Sequence, residues 1–528
     1  MKQTMKHQSL LSGIKSLGIM LSLGLALASC TKDDVAQNPA KPNEEENKNL
    51  TTFVAGGENK TRTSLNYNSG DFSWEAGDYI YVKDDNGVLR KSTNAPISKV
   101  ASFNYKVPGN FTASSSYKVY YLGKNSSGNS VTISKAQSQT APDNTAHFGT
   151  AGDYGTATAT KVTDKNQFEF VLEHHPAYLV FQPYTSNAIL QNCYLTKVEV
   201  SSDNDIVAKY TVNPTTGALD ASAVTDGKQI ILTTKDPAWG SSNYDGFPLS
   251  NNIASVTTNG AYMVIKPGTH SLKVRYWVKD VATTVEGTIT KTYPSTAYAS
   301  NTYYDMTAQL DVKNYDGDHY YMWDAQEQYW KGHEWWSANK DQPVLHGGSR
   351  SYNYAQSNAD SRYYHEGSSL PFNATQSCAT LPNVNEMTWY AAYGDPRWDA
   401  DGLWTTMGHL HKGGMWFKKR SVLQAEGHYN SNTAVDGRDW RTRLSYSDYP
   451  VSQTLPSAAD AGKYFYLPAL GWYDSGQLIS IGYIGEYWSS SANTWNDYCA
   501  YPLRFSANVV SVEYTGRREH GMRVDGFE

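Results

Sequence analysis

The sequence predicts a mainly β chain: two β-sandwich domains in tandem, then an aromatic-rich domain that mixes short strands with a helix. Three observations carry this. From about Leu50 to Val312, short alternating runs are separated by Gly, Asn, Asp and Ser, the pattern of sandwiches. That stretch runs to about 260 residues, long for a single sandwich. After Val312 the composition changes: 12 of 15 Trp and 8 of 13 His lie there, in 216 of 528 residues.

The overall balance excludes some classes. Formal net charge is −6, and charged residues make up only 18%. A protein that coats nucleic acid would show a basic domain. Aromatics at 13% are too many for a disordered chain. The four Cys (Cys30, Cys193, Cys378 and Cys499) form no CxxC or zinc-knuckle spacing.

Taken in order, residues 1–30 read as an export signal. Lys2, Lys6 and Lys15 precede an apolar run from Leu17 to Ala28. At about 1.5 Å per residue that run is too short for a bilayer core of about 30 Å. It ends in Leu27-Ala28-Ser29-Cys30, which resembles the bacterial lipobox. The resemblance implies cleavage before Cys30 and acylation of its thiol, with lipid as the anchor. Lys32, Asp33 and Asp34 follow and resemble the surface-export tag of Bacteroidetes lipoproteins. Residues 31–49, rich in Pro, Asn and Glu, read as a flexible tether. No later segment is apolar enough to span a membrane, so the remainder reads as soluble.

The first sandwich is placed at residues 50–185 and the second at 186–312. Leu272, Val274, Tyr276 and Val278 alternate with Lys273 and Arg275, which predicts a half-buried strand. Tyr262 to Ile265 precedes it, and Pro267-Gly268-Thr269 between them reads as a hairpin turn. Further strands are predicted at Tyr117–Leu122, Phe168–Leu172, Ala177–Phe181, Tyr194–Val200, Ile206–Val212, Ile230–Thr233, Glu286–Thr290 and Tyr303–Leu310. Cys193 reads as a buried thiol.

Several ordered motifs in this region resemble Bacteroidetes fimbrillins. They are Lys60 to Leu65, Phe72-Ser73-Trp74-Glu75-Ala76-Gly77-Asp78, Gln137-Ser138-Gln139-Thr140, Gly152-Asp153-Tyr154-Gly155, and Phe168 through His174-His175-Pro176-Ala177-Tyr178-Leu179. The resemblance implies transthyretin-like sandwiches and, in pilus-forming members, loss of an N-terminal strand by proteolysis and strand exchange between subunits. Arg62 is the candidate cleavage residue, with an ordinary solvated strand position as the plain reading.

Residues 313–528 hold one readable helix. Asn383 can cap it with Glu386 three residues on, Val384, Met387 and Ala391 give an apolar face, and Gly394 can end it. Cys378-Ala379-Thr380-Leu381-Pro382-Asn383 with Glu386 and Trp389 resembles the start of the FISUMP (major paralogous) domain. Gly485 to Ser491, Ala500 to Phe505 and Arg518 to Val524 resemble its end. This implies a mixed α+β, C-type-lectin-like fold. The family's Cys near the last strand is missing, so its bridging pattern is in doubt. Cys378 with Cys499 is the candidate disulfide, against two separate thiols.

Candidate chemistry is sparse. Trp495-Asn496-Asp497 resembles the Ca²⁺ element of calcium-dependent lectins, but Ca²⁺ needs six to eight oxygens. Asn496 and Asp497 are therefore a weak calcium candidate beside an ordinary turn, and no other cofactor is expected. His409 and His411 would share one strand face, with no third ligand in the spacing. Trp398, Trp404 and Trp416 with Asp395 and Asp399 could form an aromatic platform with polar arms for a sugar, as could Trp335-Trp336. The plain reading of each Trp is core. No G-x-S-x-G, P-loop or HExxH occurs, so no enzyme is expected.

Together these features read as a surface-exposed outer-membrane lipoprotein of the fimbrillin family, a fimbrial tip or accessory adhesin with a C-terminal ligand-binding domain. Its expected partners are the membrane, other fimbrillin subunits and a host or bacterial glycan or protein. A stand-alone glycan-capturing lipoprotein for nutrient uptake is the alternative, and a surface enzyme the third class.

Overall fold

The computed structural model describes residues 6–9, 50–56, 64–65, 67–68, 72–126, 128–365 and 372–528. Cys30, Lys32, Asp33, Asp34 and Arg62 lie outside them. The chain is mainly β, and it divides into two compact units. The first comprises Met1–Lys279 with Thr288–Leu310, the second Asp280–Gly287 with Asp311–Glu528.

In the first unit one large sheet runs in the order Leu89–Lys91, Ile80–Lys83, Ser116–Tyr121, Gly155–Lys161, Gln167–Phe170, Leu50–Ala55 and Phe103–Pro108, with Glu173–His174 beside Gly155–Lys161. Strict alternation explains its inner face. Leu50–Ala55 and Phe103–Pro108 bury every second residue. Phe53, Trp74, Ile80, Val82, Tyr105, Val119 and Phe168 are fully buried in one cluster. Each such side chain contributes roughly 1.5–3 kcal/mol by leaving water.

The second half of this unit is built from three sheets. One orders Lys6–Ser9, Thr302–Gln309, Ala177–Tyr184 and Ala261–Ile265. Another orders Ala136–Gln139, Gln229–Thr234, Tyr194–Ser202, Gly268–Lys279 and Glu286–Tyr298. The smallest joins Leu219–Ser222, Lys209–Val212 and Ser130–Thr132. The strand Ala177–Tyr184 pairs with Thr302–Gln309 and Ala261–Ile265. The expected seam at 185/186 thus falls just after a strand of the second half. Leu272, Val274, Tyr276 and Val278 are buried, as their alternation requires.

The hairpin expected at Pro267-Gly268-Thr269 is not formed. Ala261–Ile265 pairs with Ala177–Tyr184, whereas Gly268–Lys279 pairs with Tyr194–Ser202. All five residues of Ala261–Ile265 are buried, so that strand belongs to a sheet covered on both faces. The turn is a corner between two sheets, with Gly268 at φ 156°.

The motifs that resemble fimbrillins fall on polar groups inside this unit. Tyr178 Oη donates to Asp153 Oδ1 at 2.6 Å, and His174 Nδ1 lies 2.9 Å from Asp153 Oδ2. Phe72 stacks on the His174 ring at 4.2 Å. Asp78 accepts from Tyr121 Oη at 2.9 Å and from the Glu75 amide at 2.7 Å. Gln137 and Gln139 act as surrogate backbone for Ala261–Ile265. Gln137 accepts from the Val264 amide at 2.9 Å and donates to its carbonyl at 2.7 Å. Gln139 accepts from the Tyr262 amide at 2.7 Å and donates to Gly260 O at 2.9 Å. Their i, i+2 spacing puts both amides on one strand face.

In the second unit, one sheet orders Lys313–Asn314, Arg397–Thr406, His409–Lys418 and Tyr464–Pro468. A larger one runs Tyr320–Tyr321, Met522–Arg523, Gly485–Ala492, Cys499–Phe505, Val509–Val512 and Ser447–Pro450. The helix Val384–Tyr393 carries the expected capping box: Asn383 Oδ1 accepts from the Glu386 amide at 3.1 Å, and Glu386 Oε2 accepts from the Asn383 amide at 2.7 Å. Val384, Met387 and Ala391 are fully buried against Phe465, Leu503 and Val510. Gly394 ends the helix, but the left-handed residue is Asp395, at φ 47°.

Cys378 and Cys499 are not bridged, and both are buried, as is Cys193. Cys378 Sγ accepts from the Asp324 amide at 3.3 Å, which holds it in its own hydrophobic cluster with Trp323 and Trp488. Burial pushes both thiols up.

Candidate functional site

The second unit contains a cleft of about 510 Å³. Its lining draws on all four strands of the four-stranded sheet, at Lys313, Trp404, Trp416 and Tyr466, and on residues 525–528. Tyr464, Phe465, Tyr466 and Leu467 all line the cleft; Phe465 and Leu467 also belong to the hydrophobic core, and of the four only Tyr466 is half-buried rather than buried. Trp416 pairs with Tyr466 across the ladder, and their rings lie 5.0 Å apart. Trp416 remains half-buried.

Asp399 orients this aromatic pair. Its Oδ2 accepts from Trp416 Nε1 at 3.2 Å, and its Oδ1 accepts from the Gly402 amide at 2.7 Å. Arg397 pairs with Trp416 and Asp399 with Gly414, so the regular register sets Asp399 on the Trp416 face before the ladder shifts between Asp399 and Leu403. Trp404 lines the cleft too, but its Nε1 donates to Gly413 O at 3.0 Å and its ring stacks on His411 at 5.0 Å.

The walls carry charge. Lys313 Nζ sits 4.6 Å from the centre of the Tyr315 ring. Arg523 is fully buried and grips Asp525 with two hydrogen bonds, 2.9 Å from Nε and 2.6 Å from Nη2. Lys419 Nζ lies 2.9 Å from Glu528. Burial, reinforced by the hydrogen bond from its hydroxyl to Asp395, pushes Tyr464 up to about 12. The cleft lining thus combines aromatic rings, a fixed carboxylate and two ion pairs. These groups suit a saccharide.

Of the five residues expected to hold a ligand, Trp404, Trp416 and Asp399 line the cleft, while Trp398 and Asp395 do not. Trp398 is 7% exposed and belongs to the core around Met387 and Phe417. Asp395 pairs with Arg397 at 2.8 Å and accepts from Tyr464 Oη at 2.6 Å, so it braces the sheet edge. Sequence reasoning missed Tyr315, Tyr464, Tyr466, Lys313 and Arg523. The alternation at Tyr464–Leu467 could have found two of them. The others depend on the parallel pairing of Lys313 with Trp404 and on the return of residues 522–528.

The remaining candidates separate. His411 is buried, and burial pushes its imidazole down to about 3; His409 faces Asp280 at 3.2 Å. Among the described residues they belong to no group of three or more close metal-ligating side chains. The Asn493 side chain accepts from the amides of Trp495 (2.7 Å) and Asn496 (3.3 Å), which is turn chemistry. Asp497 is exposed. Among the described residues, Asp316, Asp318 and His319 cluster closely. His319 Nδ1 lies 2.7 Å and 2.8 Å from the two carboxylates. The Asp316 hydrogen bond outweighs burial and pushes His319 up to about 9, so this is an ion-paired knot.

No family model matches the chain, and no curated protein matches its sequence. Solved structures do show similarity. A candidate cell adhesion protein from Bacteroides uniformis aligns at 16% identity and TM-score 0.30, covering 51% of this chain and 94% of that one. A fimbrial protein from Bacteroides ovatus aligns at 13% identity and TM-score 0.22, covering 88% of this chain and 98% of that one. The fimbrial anchor protein Mfa2 from Porphyromonas gingivalis aligns at 12% identity and TM-score 0.21, covering 46% of this chain and 82% of that one.

Proposed function

We propose that this chain is a surface lipoprotein of the fimbrillin type, a tip or accessory adhesin that presents its second unit to a glycan. The observation that carries the binding role is the Trp416–Tyr466 pair, held open by Asp399 over a cleft with charged walls. Planar rings stack on the apolar face of a sugar, and fixed carboxylates and cations take its hydroxyls. The role is binding, with no catalytic step assigned to the cleft.

The anchor rests on the sequence at Leu27 to Cys30. In the full chain Lys6–Ser9 pairs in parallel with Thr302–Asp305 at the edge of a sheet. Cleavage before Cys30 would take that strand away and leave the edge open. An open edge accepts an extended segment through main-chain hydrogen bonds, which gives assembly with other subunits a physical route.

A glycan array probed with the mature chain tests the binding role. The expected result is selective binding that Trp416→Ala removes and EDTA leaves intact. Loss in EDTA would return weight to calcium at Asn496 and Asp497. An array with no bound glycan would overturn the reading in favour of a protein ligand.

A further inference from the structure

A second groove of about 780 Å³ lies elsewhere in the same unit, lined by Trp335, Lys340, Arg350, Tyr352 and Gly408 among others. We propose that this groove is a separate binding site for an acidic saccharide, one bearing carboxylate or sulfate groups. It shares no lining residue with the first cleft and does not depend on it.

Charge makes the first part of the argument. Lys340 and Arg350 are exposed and form no ion pair among the described residues. The one carboxylate in the wall, Asp341, is already engaged: His333 Nδ1 lies 3.0 Å away, and Asn353 Nδ2 donates to it at 2.7 Å. Two uncommitted cations therefore face the groove in a chain whose formal net charge is −6. Where one sign of charge lines a concave surface, it concentrates ligands of the other sign.

The aromatic groups make the second part. Tyr352 in the groove wall is 73% exposed, unusually open for so large a ring. Trp335 meets Trp336 edge-on at 5.8 Å. The Trp335 indole nitrogen is buried without a hydrogen-bond partner, a donor that a ligand oxygen can satisfy after a small ring movement. Gly408 keeps one side of that ring clear; a Cβ there would stand 3.5 Å from it.

The frame is fixed. Gln342 is buried, donates to Gly317 O at 2.8 Å and to Tyr473 Oη at 3.0 Å, and accepts from the Trp335 amide at 3.1 Å. The Trp335 backbone is thereby tied to the interior. Rings for the sugar face and cations for its acid groups point to an acidic saccharide rather than a neutral one. A plain acidic peptide would use the cations but not the rings.

The test is isothermal titration of the mature chain with a heparin hexasaccharide, tetragalacturonate, α2,3-sialyllactose, neutral maltotetraose and hexaglutamate. The proposal expects at least one acidic sugar to bind tighter than about 1 mM. It expects Lys340→Gln with Arg350→Gln to weaken that sugar at least tenfold, Tyr352→Ala to weaken it severalfold, and Trp416→Ala to leave it unchanged. Affinity should fall as salt rises. Any one of three results overturns the proposal: no acidic sugar binds, the charge variant binds as the parent does, or hexaglutamate binds as tightly as the sugars. Retained melting temperatures in the variants exclude unfolding, since Lys340, Arg350 and Tyr352 are exposed and Trp416 is half-buried.

Discussion

The indole N–H of Trp416 donates to Asp399 Oδ2 at 3.2 Å, and this bond fixes the angle at which the ring faces the cleft. Trp416 is half-buried, so its removal costs less packing than that of a core Trp. Trp416→Ala is expected to lower affinity for a bound glycan at least tenfold, equal to about 1.4 kcal/mol. The melting temperature should move only slightly. Asp399→Asn, which keeps an acceptor for the indole, should have the smaller effect. Titration and thermal denaturation of the same samples check both.

The Gln137 amide occupies both the N–H and the C=O of Val264. Gln137→Ala leaves two buried main-chain groups without partners, at about 1–3 kcal/mol for each unsatisfied group. Ser138, between the two glutamines, is exposed. Ser138→Ala should stay within about 0.5 kcal/mol of the parent. Urea unfolding monitored in the first unit separates the two outcomes.

Acid should destabilise the second unit through His411. Burial pushes its imidazole down to about 3, against an ordinary value near 6.5 in the unfolded chain. Between those values the unfolded chain binds a proton that the folded chain refuses, so stability is present above about 6.5 and falls as pH drops toward 3. His411→Phe keeps the stack on Trp404 and removes the titration. The difference between parent and variant should change with pH over this window, by an amount on the order of a few kcal/mol. A difference that stays flat from pH 4 to 7 would contradict it.

The buried, unbridged thiols give a chemical prediction. Denatured, unreduced protein should react at Cys378 and Cys499 with a thiol reagent, and the native protein should react slowly there, since only the thiolate attacks and burial pushes both thiols up. A peptide cross-linked between Cys378 and Cys499 in the unreduced digest would contradict the structure.

Period-two alternation made most strands legible, because burying one face of a sheet forces it. Leu272 to Val278 and the capped helix at Asn383 show this directly. Sheet membership was less legible. Pro267-Gly268 serves a hairpin or a corner equally well, and only the pairing of Ala261–Ile265 with Ala177–Tyr184 decides it. The site was half legible for the same reason. Tryptophan enrichment pointed to the unit that holds the candidate cleft, but Trp398 and Trp416 differ in the sheet face they occupy. Arg523 and Lys313 reach the cleft through pairings between distant segments, which local patterns do not encode.

Adhesion of cells that display the protein to a surface coated with its array-selected glycan tests the central claim most directly. The account predicts that Trp416→Ala cells, with surface protein verified by antibody on intact cells, fall to the level of cells lacking the gene. Cys30→Ala cells should fall equally, because the protein is no longer held at the surface. Trp416→Ala cells that adhere as strongly as the parent would contradict the account.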